Sequence, residues 1–368
     1  MLAEYVMRCM PGLESPGPSG SSQKRSEPSV VSTADLAKYL NLSQWTVSRA
    51  INGHHDISEE TRKRVLTAMD ELGFRPNPFA RGLRGRGISM IGICFSRLNI
   101  PILDQKVFEL QEYLRNRGFR SLLEASLNDP ENEQRVLEDF RRIRVDGVVI
   151  FFSMLSSAKI RQATRSMALV SVDPWWPQEV PMVMLDRHKA MREIVDHLLD
   201  LGHRQFALLG ISPDNIWRWP PLTEGVIARG LNPDEVFSWY KYPSPFESPI
   251  KGGAEMAARA LSLKPRPTAF ICQDDLIALG AIQTVKDAGL SVPKDISVTG
   301  FNNQDVAQTL RPTLTTVDQH PGAVIAQVGE LLSMQLALPA RERGKPVEVK
   351  IKGSFIARES SGPAPTKG

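Results

Sequence analysis

The chain of 368 residues contains only three cysteines, Cys9, Cys94 and Cys272, which are far apart and include no C-x-x-C pair. That scarcity excludes a disulfide framework and a zinc finger, and it fits a protein of the reducing cytoplasm. Long apolar runs are missing as well, and nothing approaches the roughly 20 residues needed to span a bilayer, so no membrane partner is expected. The segment Met1 to Met10 is interrupted by Glu4 and Arg8 and does not read as a secretory signal. The six histidines show no metal spacing. There is no G-x-x-x-x-G-K-S/T loop, no H-E-x-x-H and no G-x-S-x-G turn, so a non-enzyme without metal or cofactor is expected. A large net charge is absent too: +4 with a pI near 8.9 does not by itself argue for nucleic acid. Acidic residues are nevertheless missing locally. None lies between Glu71 and Asp104, a stretch that holds Arg75, Arg81, Arg84, Arg86 and Arg97 and forms a basic segment.

What is present is ordinary globular material, 42% hydrophobic and 23% charged, in a chain long enough for two or three units. Residues 11–29 are dense in Pro, Gly and Ser and cannot offset the entropy of ordering, so 1–30 reads as a disordered extension. Three short helical patterns follow between Ser32 and Gly73, with stop signals at Asn41 and at Asn52-Gly53. Beyond Gly87 short apolar runs (Met90–Phe95, Ser121–Ala125, Gly147–Phe152, Ala168–Val172, Phe206–Leu209, Thr268–Cys272, Ser297–Thr299) alternate with helix-period stretches such as Arg187–Leu201 and Leu276–Ala288. Such runs suit strands buried on both faces of parallel sheets. The fold class expected is therefore a small all-α helix-turn-helix headpiece plus a two-lobed α/β domain of parallel sheets, because one sheet of about ten or more strands is less economical. Ser360 to Gly368 reads as a frayed tail.

In the helical unit, Leu36, Ala37, Leu40, Leu42, Val47 and Ile51 have helix-turn-helix spacing. Asn41 sits where the turn needs a left-handed backbone, and Ser43 is the expected N-cap of the second helix. Gln44, Trp45, Ser48, Arg49 and Asn52 then point away from the packed side and are available to a groove. A third helix is expected to start at Ser58 and to end at Gly73. The same pattern also suits a plain three-helix bundle with a solvated polar face.

The stretches DLAKYLNLSQWTVSRAING (Asp35–Gly53), ISEETRKRVLTAMDELGFRPN (Ile57–Asn77) and ARGL (Ala80–Leu83) resemble the DNA-binding headpiece of the lactose/galactose-repressor family. The similarity continues through VDGVVI, LGHRQFALLG, PTAFICQDDLIALGA, VPKDISVTGFN and RPTLTTVDQ, covering residues 31 to about 358. It implies a cytoplasmic homodimer that binds a palindromic operator in double-stranded DNA and represses carbohydrate-metabolism genes under control of a small, sugar-like effector; the alternatives are a ligand-independent or activating regulator with the same headpiece, and a sugar-binding protein without a regulatory role. Gln44, Trp45 and Arg49 would read bases in the major groove, Trp45 through a thymine methyl and Arg49 by bidentate bonding to guanine. Ser32, Thr33, Ser43, Thr46, Ser48, Asn52 and Asn77 would contact the DNA backbone. The resemblance also implies that a hinge helix at 76–87 folds on DNA, with Ala80 and Leu83 in the minor groove. It places a headpiece at 31–75, lobe 1 at 88–186 and 319–338, lobe 2 at 187–316 and 340–358, and a tail at 359–368. No C-terminal heptad run is visible, which favours a dimer over a tetramer.

Ligands of open α/β sheets bind beyond the carboxyl ends of strands, and between two lobes the cleft is the natural place. Ser96, Asp173, Asp274, Asn302 and Gln319 are the strand-end candidates for effector binding, with Trp175 and Trp176 as possible stacking faces. Asp274 could equally be a helix N-cap, and the tryptophans a packed loop. The family usually has arginine where Leu222 stands, an acidic residue at Asn302 and asparagine at Asp274. Its Asn-Pro-Phe-Phe loop is replaced by Asn99-Ile100-Pro101-Ile102. Arg218, four residues upstream, is the candidate substitute for the missing arginine, and His203 is read as structural.

Overall fold

A computed structural model describes residues 32–51, 53–74, 89–97, 100–242 and 248–366. Asn52, Asn77, Ala80, Leu83, the 76–87 hinge and the 1–30 extension lie outside the described residues. The chain divides after Gly87 into two units.

The first unit holds helices Thr33–Leu40, Gln44–Ile51 and Glu59–Glu71. Each is preceded by a serine whose hydroxyl accepts from a backbone amide two or three residues into the helix: Ser32 from Asp35, Ser43 from Thr46 and Ser58 from Thr61. Both longer-range stops are left-handed, Asn41 at φ 51° and Gly73 at φ 60°. After Gly73 the Phe74 amide donates back to Met69 O at 2.9 Å, closing the last turn and folding Phe74 into the core. That core comprises Leu36, Ala37, Leu40, Val47, Ala50, Val65, Ala68, Met69 and Phe74. Arg64 ties the end of the first helix to the third by donating to Leu40 O at 2.8 Å.

The second unit contains two parallel sheets. Strands β1 (Met90–Phe95), β2 (Arg120–Ala125), β3 (Gly147–Phe151), β4 (Ala168–Val172), β5 (Met182–Leu185) and β11 (Glu348–Ile351) form the first, in the order β11-β5-β4-β3-β1-β2. Strands β6 (Phe206–Leu209), β7 (Phe237–Tyr240), β8 (Ala269–Cys272) and β9 (Ser297–Thr299) form the second, in the order β7-β6-β8-β9. The chain passes between lobes at Leu185–Arg187, around β10 (Thr316–Asp318), and between β11 and β12 (Ser354–Ile356); β10 and β12 pair antiparallel there. In the second lobe two helices, Pro249–Leu261 and Asp275–Asp287, touch backbone to backbone. A Cβ on Gly280 would sit 2.0 Å from Ile250 O, and one on Gly253 would sit 2.3 Å from Ile277 O.

Two expectations about the C-terminal part need correction. The segment 340–358 does not belong wholly to lobe 2, because β11 extends the first sheet parallel to β5, with Val349 opposite Val183. Nor is the tail frayed over 360–366. The Ser360 hydroxyl donates to Val298 O, its carbonyl accepts from the Val298 amide, and the Ala364 amide donates to Leu201 O. The buried His203 ring, reaching Thr268, Ser297 and Gly362 O at 2.9–3.0 Å, pins this segment to the second sheet.

Candidate functional site

On helix Gln44–Ile51 the inward residues Val47 and Ala50 are buried, whereas Gln44 and Trp45 are exposed, Trp45 to 59%. Arg49 donates from Nε and Nη2 to Asp56 Oδ1 at 2.9 and 2.6 Å, and its guanidinium lies 4.7 Å from the centre of the Trp45 ring. The Arg49 bond holds the Asp56 carboxyl below its usual range. Gln44 Nε2 donates to Thr33 Oγ1 at 3.2 Å, and Ser43 and Thr46 share a hydroxyl bond at 2.8 Å. Ser32, Thr33, Ser43 and Thr46 therefore cluster around the N-termini of the first two helices, where backbone amides and the helix dipole favour an anion. Ser48 lies half-buried on the same helix.

In the second unit a cavity of about 380 Å³ lies between the lobes. Ser96, Asp173, Arg218, Asp274, Asn302 and Gln319 all line it, brought together from β1, β4, the segment before helix Trp219–Ile227, β8, β9 and β10. Trp175 lines it as well; Trp176 is not among the lining residues. Asp274 combines both readings: its Oδ1 caps helix Asp275–Asp287 by accepting from the Ile277 amide at 2.8 Å, and it faces the cavity. Burial raises the Asp274 pKa, and pushes that of neighbouring Asp275 up to about 7.

Residues absent from the sequence-based set hold the site together. Lys106 is fully buried and donates to Asp173 Oδ2 at 2.9 Å and Gln319 Oε1 at 2.8 Å. The second Asp173 oxygen accepts from Arg187 Nη1 at 2.8 Å and the Leu185 amide at 3.0 Å. Burial alone would raise the Asp173 pKa. The charges of Arg187 and Lys106 outweigh it and hold the carboxyl well below the usual range. Gln319 in turn donates to Asn302 Oδ1. One continuous network thus runs from the first-lobe helix Pro101–Asn116 through Asp173 to Arg187, which opens the second-lobe helix Arg187–Asp200, and through Gln319 to the end of β9. Lys106 carried a legible signal: it interrupts the apolar face Ile102, Leu103, Val107, Leu110 and Leu114, where a charge needs a buried partner. Arg187 carried none, since charged residues commonly begin helices.

Trp217, also missed, lines the cavity and donates from Nε1 to Pro174 O at 2.9 Å and Trp175 O at 3.0 Å, joining the lobes at the cavity. Leu222 is fully buried in the core of the second lobe. Arg218 reaches the cavity instead, with Nη1 donating to Gln273 O at 2.9 Å and the guanidinium 4.3 Å from the Phe301 ring centre.

Three family descriptions match in succession. "Bacterial regulatory proteins, lacI family" covers residues 33–77, "Periplasmic binding proteins and sugar binding domain of LacI family" covers 89–221, and "Periplasmic binding protein-like domain" covers 195–361. The chain is 27% identical over 331 residues to the HTH-type transcriptional repressor PurR of Mannheimia succiniciproducens, across 89% of this chain and 97% of that relative. It is 29% identical over 295 residues to the HTH-type transcriptional regulator DegA of Bacillus subtilis, across 77% and 85%. Among solved structures, the lac repressor dimer bound to operator and the anti-inducer ONPF shares the fold, with a TM-score of 0.76 at 23% identity over 90% of this chain and 99% of that one. The two curated relatives are transcription regulators rather than enzymes. Among the described residues no helix is long and apolar enough to cross a membrane.

Proposed function

Because the chain belongs to the lacI family of bacterial regulatory proteins, we propose that it is a cytoplasmic, sequence-specific regulator, a repressor of carbohydrate-metabolism genes whose operator affinity is set by a small ligand in the interlobe cavity. The observation that carries this reading is the division of helix Gln44–Ile51 into a buried side and a side formed by Gln44, Trp45 and Arg49. That outward side is free of any structural duty in the core, and its chemistry matches base edges: an amide, an aromatic face and a guanidinium.

In this reading Arg49 exchanges Asp56 for guanine. Trp45 covers a thymine methyl, and Ser32, Thr33, Ser43, Thr46, Ser48, Asn52 and Asn77 hold phosphates. The 76–87 segment folds across the minor groove with Ala80 and Leu83 at its centre, and two copies of the chain read an inverted repeat. The ligand acts by changing lobe orientation, since it contacts Ser96 and Asp173 on one side and Arg218 and Asp274 on the other, with Asn302 and Gln319 at the crossings. A sugar-like ligand is supported by the aromatic faces of Trp175 and Trp217 beside these polar groups, and by the family description that matches residues 89–221.

The test is selection of bound fragments from the genome that encodes the chain, at moderate salt. An enriched inverted repeat beside genes of sugar uptake or breakdown is expected. Enrichment of no sequence would overturn the regulatory reading, and enrichment beside unrelated genes would overturn the carbohydrate assignment.

A further inference from the structure

The cavity is unbalanced in charge. Three buried cations meet there, Lys106 through its bond to Asp173 and Arg187 and Arg218 in the lining, against two carboxylates, Asp173 and Asp274. Asp173 is already committed, since both of its oxygens are taken by Lys106, Arg187 and the Leu185 amide. Asp274 is engaged as a helix cap.

Arg218 is left over. It is 9% exposed, and its side-chain hydrogen bonds among the described residues go to one neutral carbonyl and a distant thioether, Gln273 O and Met191 Sδ. Asp274 and Asp173 attract it only from beyond ion-pair distance; burial pushes its pKa down to about 9, which still leaves it cationic at neutral pH. A buried cation with no carboxylate at ion-pair distance among the described residues is costly, and its guanidinium carbon lies 4.3 Å from the Phe301 ring centre. In the lining of the same cavity, the buried Ser96 hydroxyl oxygen has no hydrogen-bond partner among the described residues. A planar two-donor cation, an unpartnered hydroxyl and indole faces together describe a ligand with a ring at one end and an oxyanion at the other.

We infer that the ligand of this cavity carries an oxyanion, a carboxylate or a phosphate monoester, and that Arg218 is the residue that pairs with it. This deepens the regulatory reading and rests on it for the existence of a ligand. The acid group supplies a counter-charge at ion-pair distance, which none of the described carboxylates does, so neutral analogues bind without relieving the buried cation. Selectivity for acid over neutral ligand then resides in Arg218.

The full chain is titrated with glucose, glucuronate, glucose 6-phosphate and inorganic phosphate at matched ionic strength, following thermal unfolding and tryptophan fluorescence, since Trp175 and Trp217 line the cavity. An acid member is expected to bind about 30-fold or more tightly than glucose, the change associated with pairing a buried charge. Which acid wins separates carboxylate from phosphate. In Arg218→Met the preference disappears while the ligand-free melting temperature holds or rises, because an unpaired buried charge has been removed. In Arg218→Lys the ratio of acid to glucose affinity falls below that of the parent chain, because a point-charge ammonium does not match the two-donor guanidinium. Equal binding of glucose and the acids, an acid preference that survives Arg218→Met, or failure of every acid including inorganic phosphate to bind would overturn the inference. Fragment selection, read independently, reports whether the regulatory reading fails instead.

Discussion

The helical unit and the two-lobed unit keep their candidate residues in opposite surroundings. In the first, Arg49 and Asp56 form their ion pair at the surface, with side chains 30% and 44% exposed. In the second, Lys106 and Asp173 form theirs with both side chains at 0%. A surface pair contributes little to folding and is readily exchanged for a phosphate or a base edge. A buried pair is part of the core, so removing one partner strands the other in a low-dielectric interior. The headpiece can therefore alter its recognition residues without unfolding, whereas the lobes cannot alter the scaffold of the cavity without losing stability.

Substitutions probe that contrast. Asp173→Ala leaves Lys106 and Arg187 buried without a counter-charge and is expected to cost about 3–5 kcal/mol in denaturant unfolding. A loss no larger than that of Asp56→Ala would erase the distinction between the two pairs. Next comes the acid whose pKa burial raises. Asp275 titrates near 3.8 when unfolded and is pushed up to about 7 when folded. Its share of stability is complete below about pH 4 and is lost as pH rises through about 7. Asp275→Asn should thus flatten the decline between those values relative to the parent chain, as read by melting temperature across pH; identical slopes would show that the carboxyl is not buried as described. Gly280→Ala places a methyl against Ile250 O, and an overpacking cost of about 1–3 kcal/mol is expected in the second unit. An unchanged melting temperature would mean that the two helices separate easily. The smallest effect is expected from Trp45→Ala: no loss of folding, and relaxed preference at one thymine in a bound-sequence selection, worth about 1 kcal/mol or less. Preference unchanged at every base would remove Trp45 from the reading set.

Legibility followed how local each cause is. Ser43, Ser58, Asn41 and Gly73 were readable because caps and left-handed turns are settled within a few residues. Strands β1, β4 and β6 matched their apolar runs, since each is buried on both faces. Strands β7 and β11 were not read: Phe-Ser-Trp-Tyr and Glu-Val-Lys-Ile are edge strands with mixed exposure and no continuous apolar run. The five strand-end candidates converge on one cavity because topology places strand ends together, an inference that needs no contact map. The ties that hold them were invisible, as Lys106 and Asp173 are 67 residues apart and Lys106 and Gln319 are 213 apart. The C-terminal segment was misread because its Pro, Ser and Gly content resembles a loose end, while its order comes from backbone bonds to Val298, Thr313 and Leu201.

The central claim is that the outward side of helix Gln44–Ile51 reads sequence, and the affinity ratio between a selected and a scrambled duplex at one salt concentration measures it most directly. For Arg49→Ala this ratio should fall by about 1–3 kcal/mol in equivalent free energy, with binding to the scrambled duplex nearly unchanged and the fold intact by circular dichroism. A ratio that stays at the parent value in a folded Arg49→Ala protein would contradict the account.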